Sequence, residues 1–181
     1  IGIPAELIRS VPCRTFSLET ETVRCALPRR RPDGHKGTFG KVLIVGGAVG
    51  YTGAPYLTAS AAVGSGCGLV YLGVPEAIWP VEAAKCVSAM PFPLPDRDGK
   101  LCAAALPEIR KKLSGCDVLA LGPGLGCSFQ TERLVRELLE ETEKPVVLDA
   151  DGINALEGHI DVLDRRRGRV TILTPHDGEF A

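Results

Sequence analysis

From residue 41 onward, short apolar runs alternate with longer segments of helical character. The runs at 41–47, 69–74, 117–121, 145–148 and 170–173 are short and rich in aliphatic residues, and they predict buried strands. Helices are predicted at 54–63, 76–85, 101–113, 128–143 and 153–163, the last interrupted by Gly158. Strands that alternate with helices are typical of βαβ units, so we predict an α/β fold with a mostly parallel central sheet and helices on both faces.

The clearest helix is 128–143, where Ser128 is placed to cap the first turn and an apolar stripe follows at Leu134, Val135, Leu138 and Leu139. Two other segments predict irregular structure. Residues 91–100 contain three prolines and an Asp-Gly pair and are expected to form a loop. Residues 1–34 are punctuated by prolines and are expected to form a connector or N-terminal arm.

Composition excludes several classes of protein. The chain of 181 residues has a net charge of −1 with both signs mixed, which gives no basic surface for nucleic acid. No apolar run approaches the roughly 20 residues of a membrane span, and the N-terminus does not resemble a signal peptide. Seven cysteines without paired spacing favour reduced thiols and a cytoplasmic location. The three histidines do not cluster with cysteines, so no metal site is expected.

Glycine, at 21 residues, is abundant, whereas aromatic residues make up 5% of the chain. Two glycine-rich segments follow predicted strands: Gly46-Gly47 with 50–54, and 122–126. Both suit close approach of a ligand to the backbone and to a helix N-terminus. Neither is a P-loop, and the first lacks the dinucleotide pattern GxGxxG. The alternative for each is a structural turn between strand and helix.

Polar side chains follow the fourth and fifth predicted strands. In extended chain, Asp149 and Asp151 would lie on one side, where they suit a cation or a substrate hydroxyl; the alternative is that Asp151 caps a helix. His176 lies in 174–179, and Thr174 and Glu179 there are alternatively capping residues. His35-Lys36 suits a phosphate or a solvated turn. Arg165-Arg166-Arg167 is interpreted as a solvated surface without function.

The ordered set of motifs resembles the NAD(P)H-hydrate dehydratase family, also called the YjeF C-terminal type, of the ribokinase-like superfamily. The matching segments are HKGTFGKVLIVGG (35–47), GYTGAP (50–55), AAVGSGCGLV (61–70), GPGLG (122–126), LDADGIN (148–154) and LTPHDGEF (173–180). In fused members an epimerase domain precedes this one. The resemblance therefore implies that 1–34 is a junction after an upstream epimerase and that 35–181 is the N-terminal portion of a dehydratase domain whose C-terminal part is missing.

The resemblance also implies an activity. Members use ADP or ATP, with Mg²⁺ expected alongside the nucleotide, to phosphorylate the hydroxyl of the S-epimer of hydrated NADH or NADPH. Loss of phosphate then restores the nicotinamide double bond. The substrate is expected near Ala54, Gly126 and His176, with Asn154 as a second-rank contact. The full-length enzyme is expected to be a homo-oligomer that binds neither nucleic acid nor membrane.

Two departures from the family pattern matter. Asp177 replaces the usual proline after TPH, so a looser turn is expected there. The expected catalytic aspartate belongs to a Gly-x-Gly-Asp motif beyond Ala181, so no catalytic residue is assigned in this chain, and the isolated chain is expected to be inactive and poorly soluble. The alternatives are a small-molecule kinase of the hydroxyethylthiazole or hydroxymethylpyrimidine type, against which the HKG and GYTGA motifs weigh, and a non-catalytic nucleotide-binding module.

Overall fold

A computed structural model describes residues 2–12 and 17–180, which group into two compact units, Ile1–Asp33 and Gly34–Ala181. The first unit contains two short helices, α1 (Ala5–Ser10) and α2 (Thr20–Ala26), and buries none of their residues. The segment predicted as a connector or N-terminal arm thus contains helical turns, and its role as a connector stays a prediction. Pro4 precedes α1 as its N-cap, so this proline begins a helix rather than preventing one.

The second unit is built on a six-stranded sheet. Its strands are β1 (Lys41–Val45), β2 (Leu69–Pro75), β3 (Met90–Leu94), β6 (Val118–Leu121), β7 (Val146–Leu148) and β8 (Thr171–Leu173), and a separate antiparallel pair is formed by β4 (Asp96–Arg97) and β5 (Lys100–Leu101). The order of the strands in the sheet is β3-β2-β1-β6-β7-β8, and all neighbouring strands run parallel. The α/β prediction is thus confirmed.

Helices connect the strands. They are α3 (Gly53–Gly64), α4 (Trp79–Lys85), α5 (Leu106–Ser114), α6 (Phe129–Glu141), α7 (Asp151–Asn154) and α8 (Asp177–Phe180), with 3₁₀ segments at Glu76–Ile78, Ala103–Ala105 and Ile160–Arg166. Nowhere in residues 2–12 and 17–180 is there a helix of the length and hydropathy needed to cross a bilayer.

The sheet separates two apolar cores because successive side chains of a strand point to opposite faces. Leu43 and Val45 join the larger core, which includes the buried faces of α5 and α6. Ile44, between them, joins the smaller core with Ala59 of α3. Helices therefore cover both faces, as the alternation of strands and helices predicted.

Helix α6 confirms the clearest prediction from the sequence. Ser128 is its N-cap, and the side-chain oxygen accepts a hydrogen bond from the backbone N–H of Thr131 at 3.1 Å. The four residues of the predicted apolar stripe are all buried. The cap and the apolar face predicted from the sequence are therefore both present: Ser128 satisfies an N–H of the first turn, and the apolar stripe packs in the core.

The loop predicted over 91–100 is wrong, because these residues form β3, β4 and the start of β5. Strand β3 lies at the edge of the sheet and pairs with β2 alone. Pro91 and Pro93 are two residues apart, so both lack an N–H on the same side of the strand. An edge strand has one side without a neighbour, and proline is tolerated there.

Two predicted helices are shorter or broken. The segment 101–113 begins with Leu101 in β5 and becomes α-helical only from Leu106. The segment 153–163 consists of the end of α7, a turn around Gly158 with φ of +69°, and a 3₁₀ segment. Helix α7 already ends at Asn154, and Gly158 lies in the turn between it and the 3₁₀ segment, where a left-handed backbone suits glycine.

The interpretation of 165–167 as a solvated surface is wrong for Arg166, which is 2% exposed. Its guanidinium donates hydrogen bonds to the carbonyl oxygens of Leu139 and Thr142 at 3.0 and 2.8 Å, at the C-terminus of α6. It also donates to the hydroxyl of Thr171 in β8 at 2.8 Å. A helix C-terminus carries unsatisfied carbonyl groups, and Arg166 satisfies them.

Several apolar side chains near β8 are exposed, among them Val170, Ile172 and Leu173. The low solubility expected from the sequence stays a prediction.

Six cysteines of the described residues are free, and Cys13 lies outside those residues.

Candidate functional site

The loops that follow β1 and β6 meet where the strand order reverses. From β1 the chain adds β2 and then β3 towards one edge of the sheet. It then returns to add β6 next to β1, on the side that faces the other edge. The connections from these two neighbouring strands diverge and leave a crevice beyond their carboxyl ends. In open parallel sheets, such a crevice is where ligands bind.

The two glycine-rich segments predicted from the sequence line this crevice and contact each other. The N–H of Gly47 donates a hydrogen bond to the carbonyl oxygen of Pro123 at 2.8 Å. Gly124 lies so close to the start of α3 that a Cβ on it would be 3.3 Å from the Cβ of Ala54. Ala54, predicted as a substrate contact, is half-buried at the second position of α3.

Gly122 brings the loop after β6 against the loop after β7. A Cβ on Gly122 would lie 1.8 Å from the carbonyl oxygen of Asp149, and its φ of +126° is disfavoured for other residues. The glycine is therefore required both for space and for backbone conformation. This contact explains part of the glycine content as packing between loops rather than as ligand approach.

The side chain of Asp151 binds the backbone of the glycine-rich segment 122–126. Its Oδ2 accepts a hydrogen bond from the N–H of Gly126 at 2.8 Å, and its Oδ1 accepts one from Nδ2 of Asn154 at 3.3 Å. Gly126 is buried and has a φ of +69°. Two of the predicted substrate contacts, Gly126 and Asn154, are thus joined through one carboxylate.

The predicted arrangement of Asp149 and Asp151 on one side of an extended chain is wrong. Ala150, between them, has a φ of +47°, and α7 begins at Asp151. Asp149 instead accepts a hydrogen bond from the hydroxyl of Thr174 at 2.6 Å. The side chain of Asp151 does not cap α7 either, since the N-cap is Ala150 without a side-chain hydrogen bond. Each carboxylate is committed to a different loop.

His176 follows β8 at the same edge of the sheet, and its side chain is exposed. The Nδ1 atom accepts a hydrogen bond from the N–H of Gly178 at 3.0 Å, and Nε2 lies 3.1 Å from a carboxylate oxygen of Glu179. Because Nδ1 is an acceptor, the neutral ring carries its proton on Nε2. Glu179 also accepts from the N–H of His176 at 3.1 Å, so the expected capping role of Glu179 is present beside the histidine.

The β4–β5 hairpin adds residues to this site that the sequence did not indicate. Val49 in the loop after β1 donates its N–H to the carbonyl oxygen of Gly99 at 2.9 Å. Lys100, the residue after Gly99, donates a hydrogen bond from Nζ to the carbonyl oxygen of Cys127 at 2.9 Å. Burial and the carboxylate of Asp151 raise the pKa of the Cys127 thiol, which disfavours its thiolate. The Asp98-Gly99 pair was interpreted as part of a loop although it forms the turn of this hairpin, and no local signal indicated the long-range contact.

An ion pair between the half-buried Lys85 and the buried Glu82 lies beside the start of α3. Lys85 Nζ donates to the carbonyl oxygen and hydroxyl of Thr52 at 3.0 and 2.8 Å and lies 3.3 Å from Oε1 of Glu82. Glu82 is fully buried, and its Oε2 has no hydrogen-bond partner. Burial raises the pKa of this carboxyl group although Lys85 opposes the shift.

The segment that contains His35 and Lys36 is not part of the crevice. It precedes β1 and therefore lies at the amino end of the sheet. A Cβ on Gly68 would be 1.7 Å from the carbonyl oxygen of Lys36, so this segment packs against the turn before β2. The Nδ1 atom of His35 accepts from the N–H of Gly37 at 3.1 Å. This packing favours the structural alternative to phosphate binding.

Across the described parts of the second unit and of the N-terminal unit, no cluster of three or more His, Cys, Asp or Glu residues has the geometry to hold a metal ion.

Comparison with known proteins agrees with this architecture. The family model for NAD(P)H-hydrate dehydratase matches residues 42–181. The bifunctional NAD(P)H-hydrate repair enzyme Nnr of Moorella thermoacetica is 42% identical over 182 residues, which cover 100% of this chain and 34% of that protein. The Nnr enzyme of Salinibacter ruber is 44% identical over 160 residues, covering 87% of this chain and 30% of the relative. The chain thus spans about a third of the length of these relatives.

Solved structures show the same fold. The ADP/ATP-dependent NAD(P)H-hydrate dehydratase from Bacillus subtilis, co-crystallised with ATP/Mg²⁺, aligns with a TM-score of 0.62 at 28% identity, covering 88% of this chain and 52% of that one. A ribokinase-like superfamily protein from Enterococcus faecalis aligns with a TM-score of 0.64 at 22% identity, over 84% of this chain and 50% of that one, and supports the ribokinase-like fold alone. Because the family model matches residues 42–181, which are most of the chain, this chain belongs to the NAD(P)H-hydrate dehydratase family.

Proposed function

We propose that this chain is part of a longer bifunctional enzyme that repairs hydrated NADH and NADPH, with the dehydratase activity on the S-epimer of the hydrate. The observation that carries the proposal is the crevice between the loops after β1 and β6, at the point where the strand order reverses. Family membership and the bifunctional relatives support the same activity. In keeping with those relatives, we propose an upstream epimerase domain and treat residues 1–34 as the junction.

In this proposal the substrate lies over Ala54 and Gly126. Ala54 presents only a methyl group beside the start of α3, and Gly126 presents no side chain. A dinucleotide can therefore approach the backbone at Ala54, whereas the space beside the buried Gly126 is occupied by the side chain of Lys100. Asp151 orients the loop by holding the N–H of Gly126, and Asn154 shares that carboxylate. Small residues and oriented loops suit a bulky ligand better than an aromatic-lined groove would.

His176 completes the proposed set of substrate contacts. With Nδ1 occupied by the N–H of Gly178, the protonated Nε2 is the atom that can donate to a polar group of the substrate. Glu179 lies close to the same atom and would compete with the substrate for it. The proposed role of His176 is binding and orientation.

The proposed cosubstrate is ADP or ATP with Mg²⁺, which is supported by the ATP/Mg²⁺ complex of the related Bacillus subtilis dehydratase. Its terminal phosphoryl group would pass to the hydroxyl of the hydrated ring, and the phosphate would then leave with the C–O bond pair while the adjacent carbon loses a proton. The described residues are assigned no part in these bond changes.

The test is to incubate the full-length gene product with S-hydrated NADPH and either ADP or ATP. Nucleotide-dependent formation of NADPH with release of phosphate would support the proposal. A small-molecule kinase would instead give a stable phosphorylated thiazole or pyrimidine alcohol, and a non-catalytic module would bind nucleotide without turnover. We also propose that the isolated 181-residue chain is inactive. A cytoplasmic location of the enzyme is a further proposal, supported by cysteines without paired spacing.

A further inference from the structure

A positively charged side chain crosses the glycine loop of the crevice. The Cε atom of Lys100 lies 3.1 Å from the position that a Cβ on Gly126 would occupy. Its Nζ donates to the carbonyl oxygen of Cys127 at 2.9 Å. Lys100 therefore places an ammonium group beside the buried glycine at which the substrate is proposed to bind.

The hairpin that carries Lys100 is fixed at both ends. The carboxylate of Asp96 accepts hydrogen bonds from the N–H of Gly99 at 3.2 Å and from the N–H of Ala77 at 2.9 Å. Gly99 packs so closely against Val49 that a Cβ on it would lie 2.3 Å from Cγ2 of that valine. The position of Lys100 is therefore set by the fold and not only by its flexible side chain.

The charge of Lys100 suits a dinucleotide ligand. The loop after β7 brings the carboxylates of Asp149 and Asp151 to this edge, and a dinucleotide carries two negatively charged phosphates that these carboxylates would repel. An ammonium group has three N–H donors. Among the described residues, Lys100 Nζ donates its hydrogen bond to the carbonyl oxygen of Cys127, and two of its N–H donors are left for a phosphate.

We propose that Lys100 is a substrate-binding residue that contacts the diphosphate of the hydrated dinucleotide. This inference rests on the proposed function, which supplies the dinucleotide. The phosphates of ADP or ATP have the same chemistry, but we assign Lys100 to the substrate because it adjoins Gly126. The other assignment is an outcome of the test.

The experiment compares Lys100→Met and Lys100→Arg in the full-length gene product with Lys111→Met as the matched control, since Lys111 is an exposed lysine on α5. Methionine keeps the aliphatic stem of lysine and removes its charge. A hydrogen bond between charged groups contributes enough to predict a rise of about 10- to 100-fold in the KM for hydrated NADPH in K100M. The kcat and the KM for the nucleotide should change little, and K100R should retain most of the affinity.

Calorimetric titration with NADP⁺, which has the same diphosphate but does not react, separates this proposal from the proposed function. If wild type fails to dehydrate the hydrate, that function is wrong, and the titration still tests Lys100. Binding of NADP⁺ weakened at least about tenfold in K100M but not in K111M would support the proposal. Equal affinities, equal weakening in both variants, a rise confined to the KM for ADP or ATP, or no binding of NADP⁺ to wild type would overturn it.

Discussion

The carboxylate of Asp151 accepts a hydrogen bond from the backbone N–H of Gly126 across 2.8 Å, and this contact joins the loop after β7 to the loop after β6. The two residues are 25 positions apart in the sequence. The contact fixes a buried glycine with a left-handed backbone at the floor of the crevice. The geometry of the proposed substrate site therefore depends on a side chain that need not touch the substrate.

Replacing Asp151 tests this positioning role. In D151A the N–H of Gly126 loses its acceptor, so we expect the KM for hydrated NADPH to rise by about 10- to 100-fold, as for loss of a hydrogen bond to a charged group. D151N keeps an acceptor oxygen and should lose less. Hydrogen exchange gives a second readout, because the amide of Gly126 should lose protection in D151A. The control is Asp161→Ala, at an exposed residue, and an effect as large there would contradict the role.

Gly122 should tolerate no side chain. A Cβ would lie 1.8 Å from the carbonyl oxygen of Asp149, and the backbone φ of +126° adds strain. We expect G122A to lower the free energy of unfolding by about 3 kcal/mol, from strain and overpacking together. G158A is the matched control, because Gly158 also has a positive φ but has no atom within 4 Å of a Cβ. Its expected cost is about 1 kcal/mol. Equal costs in urea denaturation would show that the loop contact is not tight.

Arg166 should be essential for stability although it lies in a run of arginines. In R166M the carbonyl oxygens of Leu139 and Thr142 lose a buried charged donor, so we expect the free energy of unfolding to fall by about 3 kcal/mol. The neighbouring Arg167 is exposed and pairs with Asp164, and R167A should cost no more than about 0.5 kcal/mol. Similar costs for both variants, measured by chemical denaturation, would contradict the structural assignment of Arg166.

Glu82 should make stability depend on pH. Burial raises the pKa of this carboxyl group in the folded protein, so the folded state holds its proton over a pH range in which the unfolded state has lost it. Stability from this group is therefore present at low pH and falls as the pH rises above 4.5, the ordinary pKa of a glutamate side chain. We expect the difference in stability between E82Q and wild type to shift in favour of E82Q as the pH rises from about 4 to 7. A difference that is constant with pH would contradict the raised pKa, and Glu76→Gln, at an exposed glutamate, provides the control.

The sequence predicted best the elements whose stability is local or depends on one face. Helix α6 has its cap and apolar stripe within one segment, and β1 has an aliphatic run suited to a buried strand. The glycine loops were also placed correctly, because the ends of parallel strands share one edge of a sheet. Each of these features is determined by a short stretch of consecutive residues, and the structure confirms its position.

The failures have a common physical origin in contacts between distant parts of the chain. Pro91 and Pro93 suggested a loop because proline cannot donate a hydrogen bond, but the edge position of β3 makes that donor unnecessary. In the sequence, Arg166 cannot be distinguished from the arginines beside it. Its burial results from packing against the C-terminus of α6, which is distant in the chain. The paired use of Asp149 and Asp151 was wrong because the left-handed backbone at Ala150 separates them. No pattern within a single segment shows any of these relationships.

Dehydratase activity at the crevice is tested by the recovery of NADPH absorbance when the full-length gene product acts on S-hydrated NADPH, with ADP, with ATP and without nucleotide. We expect recovery only when a nucleotide is present, accompanied by release of phosphate in equal amount. Absence of recovery with both nucleotides, in a preparation shown to be folded, would contradict it.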